Sequence, residues 1–125
     1  MGPVRILIVD DSEIWRRSVH LLLTEDDNLE VVSEASDGLE AVQKCKQLQP
    51  DLVLLDIDLP TMNGFEVARR LSELSPSTKI LFLSSYQSPD IMNEALKIGS
   101  GYVVKVDAAR DLLPLIRTMI ETGSR

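Results

Sequence analysis

Five short, continuous apolar runs alternate along this chain with amphipathic stretches of helical length, and this alternation restricts the possible folds most strongly. A strand in a parallel sheet is covered on both faces, so it reads as an unbroken apolar run rather than as an alternating pattern. The predicted strands cover residues 4–9, 29–33, 52–55, 79–83 and 101–104. A predicted helix follows each of them, so the chain is expected to consist of five βα units.

The first predicted helix illustrates the helical pattern. Its predicted buried stripe, with spacings of three and four, consists of Trp15, Ser18, Val19 and Leu22. The side chains predicted to turn away from this stripe are Arg16, Arg17 and His20. Residues typical of helix starts precede the first four helices, namely Ser12, Asp37-Gly38, Asn63-Gly64 and Ser88-Pro89-Asp90. Pro114 interrupts the last helix, predicted over about 109–121, so it must lie in a late-starting first turn or kink the helix.

Five βα units without internal repeats predict an α/β fold in which a doubly wound, five-stranded parallel sheet is covered by five helices. The expected strand order is 2-1-3-4-5, as in flavodoxin-like folds. A chain of 125 residues has the size of one compact domain. We expect that domain to cover residues 1–121, with 122–125 as a polar tail or the start of a linker.

The charge balance and the single cysteine exclude several classes of function. Thirteen basic and 20 acidic residues give a net charge of −7, which argues against nucleic-acid binding through a broad basic face and favours basic or metal-bearing partners. Cys45 stands alone, so neither an internal disulfide nor a CxxC metal clip can form. No apolar run reaches the roughly 18 residues of a membrane span, and no signal peptide is evident. These features predict a cytoplasmic domain with no membrane contact.

Polar residues follow four of the predicted strands. They are Asp10-Asp11 after the first strand, Asp56 and Asp58 after the third, Ser84-Ser85 after the fourth and Lys105 after the fifth. Strands one, three and four are expected to be neighbours, and ligands of such sheets bind outside the carboxyl ends of the strands. We therefore expect two or three carboxylates, one or two hydroxyls and one ammonium to converge there.

Clustered carboxylates repel one another, so such a site requires protonation or a neutralising cation. Mg²⁺ prefers oxygen ligands and keeps several waters, which leaves room for a phosphate oxygen. Lys105 would bracket that phosphate from a second side. Ser84 has no evident base to activate it, because His20 is predicted to lie mid-helix, whereas a carboxylate needs none. Asp56 is therefore the best candidate nucleophile for a phosphoryl group.

Together these motifs resemble the receiver domain of bacterial two-component response regulators. The resemblance rests on Asp10-Asp11, on "LLDIDLPTMNG" around Asp56, on "LFLSSY" and on "GYVVK", and it covers essentially the whole chain. The segments "DDSEIWRRSVHLLL" and "GSGYVVKVDA" are most similar to NarL/FixJ-type receivers. Receivers of that type usually precede a helix-turn-helix DNA-binding domain, and the resemblance implies control of transcription through such a domain, removed or separate.

The resemblance also implies a role for each site residue. Asp56 would be the phosphoacceptor of a sensor histidine kinase, and Mg²⁺ would bind to Asp10, Asp11, Asp56 and the backbone carbonyl of Asp58. Ser84 would shift toward the phosphate, Lys105 would pair with it, and Tyr102 would be the switch aromatic. The switch would reach the fourth helix, fifth strand and fifth helix, which form the expected homodimer surface. Such a domain is not an enzyme beyond its own phosphoryl transfer and dephosphorylation.

Two positions depart from the usual receiver pattern. Asp58 is acidic where receivers often have Met, Arg or Asn, and its side chain should either repel the incoming phosphoryl group or help to orient a hydrolytic water. Val106 follows Lys105 where many receivers have proline, and this argues against a cis peptide bond, because non-proline cis bonds cost about 3 kcal/mol.

Other interpretations remain open at this point. A phosphatase of the haloacid dehalogenase type also has a DxD motif, with the first Asp as nucleophile and the second as general acid. However, its nucleophile lies on the first strand, and Thr or Val normally stands at the position of Pro60. A phosphate-independent interaction domain is the second alternative. Taken alone, Asp10-Asp11 could be a helix cap, and Ile14 is either a docking contact for a kinase helix or a scattered exposed residue.

Overall fold

The computed structural model describes residues 2–123, which form a five-stranded parallel sheet with helices on both faces. The strand order β2-β1-β3-β4-β5 confirms the predicted order. In chain order the elements are β1 (Val4–Val9), α1 (Glu13–Leu23), β2 (Leu29–Ala35), α2 (Gly38–Leu48), β3 (Leu52–Leu55), α3 (Gly64–Leu74), β4 (Lys79–Ser84), α4 (Pro89–Ile98), β5 (Gly101–Val104) and α5 (Ala108–Gly123). A short 3₁₀ turn over Lys105–Asp107 joins β5 to α5.

The sheet separates two apolar clusters, because successive side chains of a strand point to opposite faces. Leu7 and Val9 of β1 pack with α2, α3 and α4. Ile6 and Ile8 of the same strand pack with α1 and α5. Both faces of the central strands are therefore buried, which explains why their interior is apolar apart from Arg5 near the start of β1.

The first helix differs from its predicted pattern at one position of the buried stripe. Val19 is buried as expected, and Trp15 and Leu22 are half-buried against the sheet. The prediction for Ser18 is wrong: this residue is exposed, and its hydroxyl donates to the Ile14 carbonyl at 3.0 Å. Leu23 completes the stripe instead, because it lies four residues after Val19 on the same face.

Side-chain caps start three of the helices as predicted. The side chains of Ser12, Asp37 and Asn63 each accept a hydrogen bond from the backbone N–H three residues later, at 3.1, 2.8 and 3.0 Å. Ser88 precedes α4 but makes no such bond, and Pro89 occupies the first turn instead. These caps fix where each loop at the carboxyl edge of the sheet turns into a helix.

The last helix begins at Ala108 and contains Pro114 in its interior, so the late-starting alternative for this proline is wrong. The helix ends at Gly123, and Ser124 and Arg125 of the expected polar tail lie outside the described residues. Between residues 2 and 123 there is no cis peptide bond, as expected for Lys105–Val106. Within the same range, no helix is long and apolar enough to cross a membrane.

Candidate functional site

The register of the sheet brings the ends of its central strands together. Val9 at the end of β1 pairs with Leu55 at the end of β3, and the next backbone N–H, that of Asp56, donates to the Val9 carbonyl at 3.0 Å. Ser84 at the end of β4 pairs with Val104 at the end of β5. The polar residues that follow these strands therefore leave the sheet along a single edge, as predicted.

Three carboxylates form a cluster at this edge. Asp10, Asp11 and Asp56 each place one oxygen within 4.8 Å of the others. Asp10 and Asp56 are almost fully buried, with 2% and 5% of their surface exposed, whereas Asp11 is exposed. Hard oxygen donors with one side open to solvent are suited to a divalent cation. This acidic cluster of Asp10, Asp11 and Asp56 is therefore a candidate metal site.

Burial and a neighbouring charge make the Asp56 carboxylate unusually basic. Desolvation is the largest effect, the negative charge of Asp10 adds to it, and together they raise the pKa of Asp56 to about 6. Lys105 and the backbone N–H of Asp58 act in the opposite direction but do not compensate for them. A carboxylate that is short of stabilising partners is expected to interact strongly with any cation that enters the site.

Lys105 provides the positive charge that the sequence predicts at this edge. Its ammonium lies 2.7 Å from Asp10 Oδ2 and 3.3 Å from Asp56 Oδ2, and 18% of its side chain is exposed. Burial alone would lower the pKa of Lys105, but the hydrogen bond that its ammonium donates to Asp10 and the charges of both carboxylates outweigh it and raise that pKa. Lys105 is therefore a cation held between the two buried carboxylates.

Arg16 binds the backbone carbonyl of Asp10, a contact that the sequence did not indicate. Its Nη1 donates to the Asp10 carbonyl at 2.7 Å, and its Nε donates to Glu34 Oε1 at 3.0 Å. The Ser12 backbone N–H donates to Asp10 Oδ1 at 2.9 Å. The expectation that Arg16 turns away from the buried side of α1 is thus wrong, because the end of β1 offers it an acceptor.

Gly64 allows α3 to start directly against the backbone that follows β3. A Cβ atom at this position would lie 2.6 Å from the Cα of Ile57 and closer still to the Asp56 carbonyl oxygen. The Gly64 N–H donates to the Ile57 carbonyl at 2.7 Å. Any side chain here would push the backbone of Asp56 out of place, so Gly64 is a positioning residue as well as the first residue of α3.

The two predicted switch residues lie on neighbouring strands. Ser84 is fully buried at the end of β4, whereas the adjacent Ser85 is exposed. Tyr102 on β5 is half-buried, and its hydroxyl donates to the Tyr86 carbonyl at 2.8 Å. The Tyr86 N–H in turn donates to Ser84 Oγ at 3.2 Å. Tyr86 therefore connects Ser84 with Tyr102.

Asp58 lies at the rim and not inside the acidic cluster. Its side chain is exposed and accepts a hydrogen bond of 2.9 Å from the Tyr86 hydroxyl. Its backbone N–H lies 3.4 Å from Asp56 Oδ1, which is a long contact. The hydrogen bond that the Tyr86 hydroxyl donates to the Asp58 carboxylate raises the pKa of that hydroxyl. The sequence contained no sign that Tyr86 pairs with Asp58, because the two residues lie on different loops.

A family model described as the response regulator receiver domain matches residues 6–117. The transcriptional regulatory protein LnrK of Bacillus subtilis is 36% identical over 121 residues, which are 96% of this chain and 55% of that protein. The chain spans about half the length of the curated relatives it matches.

Solved structures agree with the sequence relatives. A LuxR-family two-component response regulator from Aurantimonas sp. SI85-9A1 superposes with a TM-score of 0.91 at 29% identity, covering 97% of this chain and 87% of that one. The receiver domain of the putative response regulator NarL from Mycobacterium tuberculosis superposes with a TM-score of 0.82 at 30% identity, covering 99% and 98%. The similarity to NarL/FixJ-type receivers expected from the sequence is confirmed.

Proposed function

The chain belongs to the receiver domains of two-component response regulators, and from this premise we propose that Asp56 accepts a phosphoryl group from a sensor histidine kinase. The observation that carries this proposal is the position of Asp56: it is buried at the end of a central strand, next to Asp10 and within 3.3 Å of the Lys105 ammonium. A carboxylate placed there can attack phosphorus without a general base. Lys105 then has a phosphoryl oxygen as its natural partner.

We propose that the reaction depends on Mg²⁺. Asp10, Asp11 and Asp56 fit this ion, because each supplies a carboxylate oxygen, and we assign the backbone carbonyl of Asp58 as a fourth protein ligand. When bound, Mg²⁺ neutralises charge on the carboxylates and on the transferring phosphoryl group. The side chain of Asp58, paired with Tyr86, remains free of the metal in this assignment.

The signal leaves the site through Ser84 and Tyr102 in our proposal. New negative charge on Asp56 attracts the Ser84 hydroxyl, and this releases the hydrogen bond that the Tyr86 N–H now donates to it. The Tyr86 carbonyl also accepts from Tyr102, so the two residues respond together. The phosphate thereby biases a pre-existing equilibrium of α4, β5 and α5, which we propose as the homodimer surface.

We propose that residues 1–121 are the receiver unit, that it acts in the cytoplasm, and that the output is transcription through a DNA-binding domain outside residues 1–125. The receiver itself would not bind nucleic acid. Ile14, three residues after Asp11, is 80% exposed, and Val106, next to Lys105, is 76% exposed, which supports the view of Ile14 as a kinase contact. Exposed apolar side chains close in sequence to Asp11 and Lys105 would suit docking of a kinase helix.

Labelling with acetyl phosphate and Mg²⁺ tests this function and its alternatives. The proposal predicts one phosphoryl group per chain by intact mass, loss of labelling with a chelator, and no turnover of a generic phosphomonoester. Continuous turnover would indicate the phosphatase alternative, with Asp58 as general acid. An unlabelled, folded chain would indicate a phosphate-independent interaction domain.

A further inference from the structure

The indole of Trp15 lies against the ammonium of Lys105. The Lys105 Nζ is 5.1 Å from the centroid of the Trp15 ring, within the range of a cation–π interaction. Trp15 is in the first turn of α1, and it packs with the apolar cluster that α1 and α5 form on the sheet. The ring therefore belongs to the rigid part of the molecule, whereas the lysine has a long flexible stem.

The indole is not oriented by a hydrogen bond. Its Nε1 is buried and has no hydrogen-bond partner in the part of the chain that the structure describes. A buried indole usually satisfies its N–H. The contacts that orient this ring are thus its packing and its proximity to the ammonium, and a face in that position attracts positive charge.

Lys105 is consequently held by three groups from three different elements. Asp10 after β1 and Asp56 after β3 are the charged partners, at 2.7 and 3.3 Å. Trp15 on α1 adds an aromatic partner. Without it, the two carboxylates alone would have to hold the flexible stem of Lys105 in one rotamer.

We propose that Trp15 is a positioning residue for Lys105. The Trp15 indole keeps the Lys105 ammonium in place to meet the phosphoryl group on Asp56. The proposal rests on the proposed function in one respect, namely that Lys105 pairs with that group. It also has a spectroscopic consequence that does not depend on phosphorylation. The Lys105 Nζ lies over the Trp15 ring, so the adjacent ε protons are expected to feel its ring current, and the only tryptophan of the chain reports where that ammonium is.

Two substitutions separate positioning from simple packing. Trp15→Phe keeps an aromatic face, whereas Trp15→Leu keeps apolar bulk without one. We expect the rate of labelling by acetyl phosphate to fall about 3- to 10-fold in Trp15→Leu and less in Trp15→Phe. By NMR, the ε protons of Lys105 should be shifted upfield in the parent chain, partly so in Trp15→Phe, and not in Trp15→Leu.

Equal labelling rates in the two folded variants, or an unchanged Lys105 shift in Trp15→Leu, would overturn the proposal. If Trp15→Leu does not fold, Lys105→Met tests the same contact by removing the ammonium instead of the indole. Its Trp15 emission should differ from that of the parent, and identical emission would contradict the contact. If the parent chain is never labelled, the proposed function fails, while the ring-current shift still decides whether Trp15 holds Lys105.

Discussion

The hydroxyl of Tyr86 donates a 2.9 Å hydrogen bond to the carboxylate of Asp58, two residues after Asp56. Both side chains are exposed at the rim of the site. The hydrogen bond therefore connects the loops after β3 and β4 at the surface of the protein. In the proposed function, this bond holds an acidic side chain near the position that the phosphoryl group on Asp56 would take. A carboxylate in that position can orient a hydrolytic water once its hydrogen bond with Tyr86 is broken.

The first prediction concerns the lifetime of the acyl phosphate. Tyr86→Phe frees the Asp58 carboxylate and should shorten the half-life of the label about 3- to 10-fold, a ratio that corresponds to about 1 kcal/mol, the usual net contribution of one hydrogen bond. Asp58→Met should also change the half-life, and in its background Tyr86→Phe should have no further effect. Decay of the label after removal of the phosphodonor measures all four chains. An identical effect of Tyr86→Phe with and without Asp58 would rule out this coupling.

The second prediction concerns Arg16, which donates to the Asp10 carbonyl. Arg16→Gln should weaken Mg²⁺ binding about 10-fold, because groups that orient metal ligands contribute on this scale. The loss of a nearby positive charge would by itself tighten binding, so the sign identifies the cause. Arg17→Gln is the matched control, since Arg17 is exposed on the same helix and, within residues 2–123, forms an ion pair only with Glu13.

Titration of backbone amide shifts with Mg²⁺ compares these variants. We expect Arg17→Gln to bind within about twofold of the parent chain, as surface ion pairs contribute little. Arg16→Lys retains the charge but cannot donate to the Asp10 carbonyl and to Glu34 with the fixed geometry of a guanidinium. Its Mg²⁺ affinity should therefore resemble that of Arg16→Gln. Tighter Mg²⁺ binding by Arg16→Gln would show that Arg16 acts through its charge alone.

The third prediction concerns Gly64, where a Cβ would collide with the backbone of Asp56 and Ile57. Gly64→Ala should lower the free energy of unfolding by about 1–3 kcal/mol, since backbone atoms cannot yield as a side chain can. Its labelling rate should fall as well. Urea unfolding measures the first effect, with Ser72→Ala, an exposed site in the same helix, as control. Equal stability of the two variants would refute the close approach.

The sheet could be predicted from the sequence because its signal is local. Residues 52–55 form an apolar run between Pro50-Asp51 and Asp56, and such a run can hardly be other than a buried strand. The convergence of Asp10 and Asp56 then follows from strand order, because β1 and β3 are neighbours in the sheet. Lys105 follows β5, two strands away from β3, so its approach to both carboxylates also depends on the reach of its long side chain.

The contacts around this cluster could not be predicted in the same way. Helical periodicity assigns Arg16 to the polar face, but whether its long side chain reaches the end of β1 depends on how α1 lies on the sheet. Tyr86 bonds Asp58 across 28 positions of the chain, which no spacing rule connects. Ser18 and Leu23 exchange roles because the periodicity of a single helix leaves its rotation uncertain by about one residue.

The central claim is that Asp56 is the phosphoacceptor, and locating the label tests it most directly. The parent chain and Asp56→Asn are treated with acetyl phosphate and Mg²⁺, and the labelled position is identified by peptide mass before and after hydroxylamine, which cleaves acyl phosphates. We predict one hydroxylamine-sensitive label on the peptide that contains Asp56, and none on Asp56→Asn. Equal labelling of Asp56→Asn, or a label that resists hydroxylamine, would contradict the account.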